Sequence, residues 1–167
     1  TTFGFNSNNY DIPVILYALQ GKTAKQIHQL SDYIIENNST AWQTTKRFSL
    51  FKPVVMNHFD IKEPSPGVMV SLKLYGARLN SKTLQDLPIE PGTMLTEEEM
   101  DETELYCIND LDTTIDLYNG IEDRMLLRKD MSVQYNQDLM SKSDAQIAEA
   151  VIVSELSRKD GGKKFKA

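Results

Sequence analysis

Tyr106, Cys107, Ile108, Asn109 and Asp110 set a tyrosine and an aspartate four residues apart. On a helix that spacing projects both side chains from one face. The pair suits a divided task, in which the carboxylate holds a metal ion and the phenol hydrogen-bonds to the water that the metal activates. The same spacing serves two exposed helix residues, or a core tyrosine beside a solvated aspartate, equally well. A second cluster stands near the start of the chain: Asn6, three residues, then Tyr10 and Asp11. Each member has an ordinary use, Asn6 in a turn, Tyr10 packed beside a helix start and Asp11 as its cap. Those uses leave the pairing with Tyr106 and Asp110 unexplained. Asn57, His58, Phe59 and Asp60 look similar but are one residue too short, and they fall in an expected strand. There His58 reads as a strand residue rather than a ligand.

The elements around these residues follow from punctuation and periodicity. Phe3 to Phe5 reads as the end of a strand, and the polar run Asn6, Ser7, Asn8, Asn9 as a turn. A helix follows from Asp11, with Pro13 in its first turn and Gly21 as its stop. Thr23 opens a second helix, with Ile27, Leu30 and Ile34 at helical spacing, that ends at Asn37, Asn38, Ser39. The middle reads as strands: Phe48 to Phe51, Val54 to Ile61, and an alternating run through Val68, Val70, Leu72 and Leu74. Glu63 to Gly67 between the last two predicts an antiparallel hairpin. Pro91 and Gly92 close a loop containing Leu84 to Pro88. Thr96 and Glu99 form a capping-box signature for a long helix that runs through Leu105, Ile108, Leu111 and Ile115 and past Met125. Ser143 caps a last helix through Ile147, Val151 and Leu156, and Lys159 to Ala167 reads as a tail or linker.

With 167 residues, 40% of them apolar and 25% charged, the chain has the composition of one ordinary globular domain. No apolar run approaches the roughly 18 residues of a membrane helix, and no basic stretch leads into an apolar one at the start, so the expected location is the cytoplasm. The single cysteine, Cys107, excludes an internal disulfide and any zinc site built on paired cysteines. The net charge of −6 is unevenly spread, with 9 basic and 7 acidic residues up to position 95 and 9 basic and 17 acidic ones after it. Eleven acids lie between Glu97 and Asp123 without a Lys or Arg. Such a run repels itself unless a cation sits nearby, although a solvated helix face is the plain alternative. The acidic total argues against strong non-specific binding to duplex nucleic acid.

Taken together the two clusters resemble motifs of the proofreading 3′–5′ exonucleases found in DNA polymerases, the class named for four acidic residues and a tyrosine. That family's second motif is Asn, two or three residues, Phe or Tyr, then Asp, matched by Asn6, Tyr10 and Asp11. Its third is Tyr, three residues, Asp, matched by Tyr106 and Asp110. The stretches FGFNSNNYDIPVI (Phe3 to Ile15), SLKLYGARL (Ser71 to Leu79), LQDLP (Leu84 to Pro88) and MSKSDAQIAEA (Met140 to Ala150) look like the exonuclease region of bacteriophage-type, family B-like polymerases. The resemblance implies an α/β, ribonuclease H-like fold, a mixed sheet flanked by helices. It also implies two Mg²⁺ or Mn²⁺ ions and hydrolysis of the terminal phosphodiester at a single-stranded DNA 3′ end. By the same resemblance Asp110 and Asp11 are metal-binding and catalytic, Tyr106 orients the attacking water, and Asn6 and Tyr10 bind the strand. The implied partner is the polymerase domain of the parent chain, in a bacterial host cell if phage-encoded.

One part of the pattern is missing. The family's first motif, Asp, one residue, Glu, lies on a strand upstream of the second, and no Asp-x-Glu occurs here. The expectation is therefore a partial exonuclease domain over 1–158, lacking its first strands, with 159–167 leading toward a polymerase domain. Two carboxylates cannot fix two divalent ions, so this chain alone is expected to turn over little. The competing expectation is a catalytically silent, exonuclease-like scaffold that holds DNA or packs against a polymerase domain.

Overall fold

The computed structural model describes residues 1–167 apart from 52–56, 68–69, 84, 91 and 160–167. The described residues are mostly helical, with one two-stranded parallel sheet, so the chain is α/β only in the broad sense. It divides into two compact units, Thr1–Lys62 and Glu63–Ala167.

In the first unit, strand β1 (Thr2–Gly4) pairs in parallel with β2 (His58–Asp60), with Phe3 opposite Phe59. The two rings stack at 5.7 Å. Parallel partners need a long crossover, and three helices supply it: α1 (Asp11–Leu19), α2 (Ala24–Asn37) and α3 (Ala41–Phe48). Thr23 caps α2 through a reciprocal box with Gln26, and Thr40 caps α3 in the same way with Gln43. Asn38 closes α2 and Ser49 closes α3, both in the left-handed conformation. The core gathers Tyr17, Leu30, Ile34 and Leu50, with Tyr10, Val14, Ile27 and Phe48 packed around it. Phe48 meets Tyr17 and Tyr33 edge-on at 5.5 and 5.4 Å.

The second unit holds α4 (Leu72–Leu79), α5 (Glu97–Gly120), α6 (Glu122–Tyr135) and α7 (Asp144–Lys159). Helix α4 packs on α5. A Cβ on Gly120 would stand 3.3 Å from Leu79 Cδ2, so the contact leaves little room for a side chain there. Helix α6 presents a buried Arg128, which donates to Asp144 and to the carbonyls of Lys142 and Arg124, fastening the start of α7. Ser143 and Gln146 complete the cap of α7.

The middle of the chain departs from the strand-rich expectation. Phe48 is the last residue of α3 rather than the start of a strand, because the capping box at Thr40 nucleates a helix whose aromatic end packs into the core. Of Val54 to Ile61, only His58–Asp60 forms a strand, and 52–56 lie outside the described residues. Glu63 to Gly67 does not join an antiparallel hairpin. The strand before it pairs in parallel with β1, and the chain after it becomes α4. There the alternation of Val70, Leu72 and Leu74 yields to a cap, with Ser71 Oγ accepting the Leu74 N–H at 3.3 Å. The residues past Val70 carry no β-branch and include good helix formers, and helical spacing buries Tyr75 and Gly76. Tyr75 anchors the turn by donating its O–H to the Pro66 carbonyl at 2.6 Å. The long helix from Thr96 stops at Gly120, and a new helix starts after Ile121. Val68, Leu84, Pro91 and the tail beyond Lys159 lie outside the described residues.

Candidate functional site

In the first unit the site is built on the turn between β1 and α1. Asn6 takes the left-handed conformation, φ 58°, which asparagine tolerates better than other residues with a Cβ. Asp60, at the end of β2 and 4% exposed, holds that turn. Its Oδ1 accepts the backbone N–H groups of Asn6 and Lys62, and its Oδ2 that of Asn8, each at 2.9 Å. The Asn6 carbonyl in turn accepts the N–H groups of Asn9 and Tyr10, both at 3.2 Å. Asn6 Oδ1 accepts from Lys62 Nζ at 3.0 Å. Tyr10 packs against the helical core and pairs its hydroxyl with Ser31 Oγ at 2.7 Å. The His58 ring bridges Thr2 Oγ1 at 3.0 Å and Ser7 Oγ at 2.8 Å.

Asp11 does not cap α1. It is the first helical residue, Tyr10 occupies the cap position, and the Asp11 carboxylate is exposed at the helix start. Displacement of water by the surrounding chain raises its pKa above the ordinary carboxylate value, and the Asp60 charge adds to this. Its own backbone N–H and His58 pull the other way without cancelling the rise.

In the second unit Tyr106 and Asp110 lie one turn apart on α5, near enough for each side chain to shift the pKa of the other. Both are partly buried. Desolvation raises the pKa of each; the neighbouring Asp110 pushes Tyr106 further up, while Tyr106 only partly restrains Asp110. The helix is anchored just beyond them, where buried Thr113 and Thr114 return their hydroxyls to the carbonyls of Asn109 and Asp110 at 2.9 and 2.7 Å. A cleft of about 510 Å³ opens beside Tyr106, bordered by Gln85, Asp86, Pro88, Glu102 and Leu105. Asp86 in that wall is ion-paired with Lys73 of α4.

Asn6, Tyr10 and Asp11 thus share one local constellation, and Tyr106 and Asp110 another. Two residues of the first constellation escape the sequence pattern. Asp60 sits in the stretch that looks like a truncated copy of the Asn-x-x-x-Tyr-Asp motif, and Lys62 lies just past it. The available signal was an aspartate at a strand end facing an asparagine-rich turn, whose unpaired backbone N–H groups need an acceptor. Among the described residues no three His, Cys, Asp or Glu side chains cluster closely enough to hold a metal ion. No described helix is long and apolar enough to cross a membrane. Compared with protein-family models, curated protein sequences and solved structures, the chain matches none.

Proposed function

We propose that the chain is part of a ribonuclease H-like 3′–5′ exodeoxyribonuclease domain of a bacteriophage-type, family B-like DNA polymerase, acting on the single-stranded 3′ end of DNA. The observation that carries the reading is the local geometry of the two motifs. Asn6 to Asp11 turns from a parallel strand into a helix with the Asp11 carboxylate left out of the cap, and Tyr106 and Asp110 stand one turn apart on one helix face. Carboxylate oxygens are the donors that Mg²⁺ or Mn²⁺ prefers. Asp11 in the first unit and Asp110 in the second each offer such an oxygen donor, and the reading further needs an Asp-x-Glu pair, which this sequence does not contain. Such ions, when bound, supply a hydroxide nucleophile and stabilise the attacking and leaving oxygens.

The chain's own residues divide the work around that chemistry. Asp110, partly desolvated, presents a carboxylate whose charge is poorly solvated and gains from a cation. Tyr106 keeps its proton throughout the neutral range, because its pKa stands above the ordinary tyrosine value. It orients a water by hydrogen bonding and does not act as a base. Asn6 and Tyr10 place the strand. A second reading, the catalytically silent scaffold, predicts that the product of the complete gene also lacks the Asp-x-Glu pair.

The test uses the product of the complete gene, Mg²⁺ and a 5′-labelled single-stranded DNA. Stepwise shortening from the 3′ end is expected. Asp110→Ala should slow it on the order of a hundredfold, the effect of removing several kcal/mol of metal-borne charge stabilisation. Shortening that survives Asp110→Ala and Asp11→Ala removes the exonuclease reading. A strand that is bound but never shortened supports the scaffold.

A further inference from the structure

A pocket of about 250 Å³ lies within the first unit, beside the Asn6 turn, between that turn and the end of α2. Asn6, Asn9 and Ser39 contribute polar groups to its lining, Tyr10 and Ile34 form apolar wall, and Lys62 stands at it. No carboxylate is among the lining residues. Lys62 is partly buried, and among the described residues it makes no ion pair. One of its three N–H donors goes to Asn6 Oδ1. Because an ammonium only donates, that bond fixes the orientation of the Asn6 amide. The NH₂ end of Asn6 then makes no hydrogen bond among the described residues. A chain of net charge −6 thus keeps, in one concave place, a lysine ammonium beside unused N–H donors. The neighbouring Asp60 carboxylate is engaged by the backbone N–H groups of Asn6, Asn8 and Lys62, so the spare side-chain donors face the pocket's interior, where a pure acceptor would match them.

We propose that this pocket binds a phosphate group, with Lys62 as its charge partner and Asn6 as a second donor. Phosphate oxygens are pure acceptors that match the spare donors, and lysine serves phosphate as a point charge. The size points the same way, since drug-sized ligands occupy cavities of roughly 300 Å³ and more. This pocket suits a phosphate with part of a sugar against Tyr10 and Ile34. The proposal rests on the part of the exonuclease reading that gives Asn6 and Tyr10 to the strand and adds Lys62 and a bound phosphate to it; it requires neither Asp11 nor Asp110 nor a metal.

Binding of a fluorescent oligothymidylate of roughly ten nucleotides, a length within the usual single-strand site sizes, is measured by anisotropy in EDTA with the whole chain. Lys62→Met should weaken it about tenfold and lower the slope of log K against log salt by about 0.7, the signature of one phosphate contact on a single strand. Lys62→Arg should keep binding within about twofold, which separates charge from fold. Displacement of the oligonucleotide by inorganic phosphate, against chloride of equal ionic strength, identifies a general phosphate site. Binding of the strand without such displacement identifies a phosphodiester site, and both outcomes support the proposal. In the unsubstituted chain the Asn6 side-chain amide resonances should shift with whichever probe binds. Equal binding and slope in Lys62→Met, no saturable binding of either probe, or an unmoved Asn6 amide overturns it. Working in EDTA keeps this result independent of any failure of metal-dependent hydrolysis.

Discussion

Asp110 illustrates how a single carboxylate can be placed at a cost to the fold. Its pKa is raised, chiefly by desolvation, so the folded chain holds its proton more tightly than the unfolded chain does. The sign of the linkage is then fixed: stability falls as pH rises from the ordinary carboxylate pKa through the raised one, and the penalty stays in force at neutral pH. Asp110→Asn keeps the size and polarity of the side chain and removes the charge. We expect it to melt at a higher temperature than the parent at pH 7, and the difference to close as pH drops below the ordinary carboxylate range. A variant that melts lower at pH 7 would show that the charge stabilises the fold. Asp60 is a buried carboxylate that accepts from three backbone N–H groups and thereby shapes the turn that carries Asn6. In the same unit Thr44 Oγ1 is buried and unpartnered, a feature for which the surrounding packing offers no reason.

At the scale of elements, the informative case is α4. Its residues admit both a strand pattern and a helix, and the choice falls to the cap at Ser71 and to the burial of Tyr75 against Pro66. Proline at exposed Ala77 discriminates between the two, because a helix interior loses a hydrogen bond and suffers a clash, whereas an edge strand tolerates it. Ala77→Pro should destabilise the chain by about 3 kcal/mol, read as a lower urea midpoint by circular dichroism. A change below about 0.5 kcal/mol, the ordinary effect of a surface substitution, would mean that 72–79 is not helical. The cleft at Tyr106 depends on the same element, since Lys73 of α4 holds Asp86 in the opposite wall.

For the molecule as a whole, the uneven charge is the dominant feature. Helix α5 begins with three successive glutamates, favourably placed at its positive end, but Glu97 and Asp101, Glu98 and Glu102, and Asp112 and Asp116 stand one turn apart as like charges. Each such pair costs about 0.2–0.5 kcal/mol, so screening should recover ~1 kcal/mol. Raising NaCl from low to about 0.5 M, where the screening length shrinks to a few ångströms, should lift the melting temperature by roughly 2–4 °C for a chain of this size. Melting that is flat or falls with salt would mean the acidic run is already neutralised within the fold. The apolar side of the same helix, through Leu105, Ile108, Leu111 and Ile115, remains exposed.

What could be read from residues alone is what local physics controls. The helix starts at Thr23, Thr96 and Ser143 were legible because a cap and its partner lie three residues apart. The first strand, the Asn6 turn and the placement of Tyr106 and Asp110 on one helix face follow from equally short-range rules. The strands read into the middle were not secure, because an alternating apolar run is compatible with either element until a core chooses a face, and here the core took Phe48 and Tyr75 from helices. The parallel pairing of β1 with β2, the capture of the Asn6 turn by Asp60 and the position of Lys62 beside Asn6 join residues more than fifty positions apart. No local rule links such residues. They meet because three helices cross over and return the chain to the same sheet, which only the tertiary structure decides.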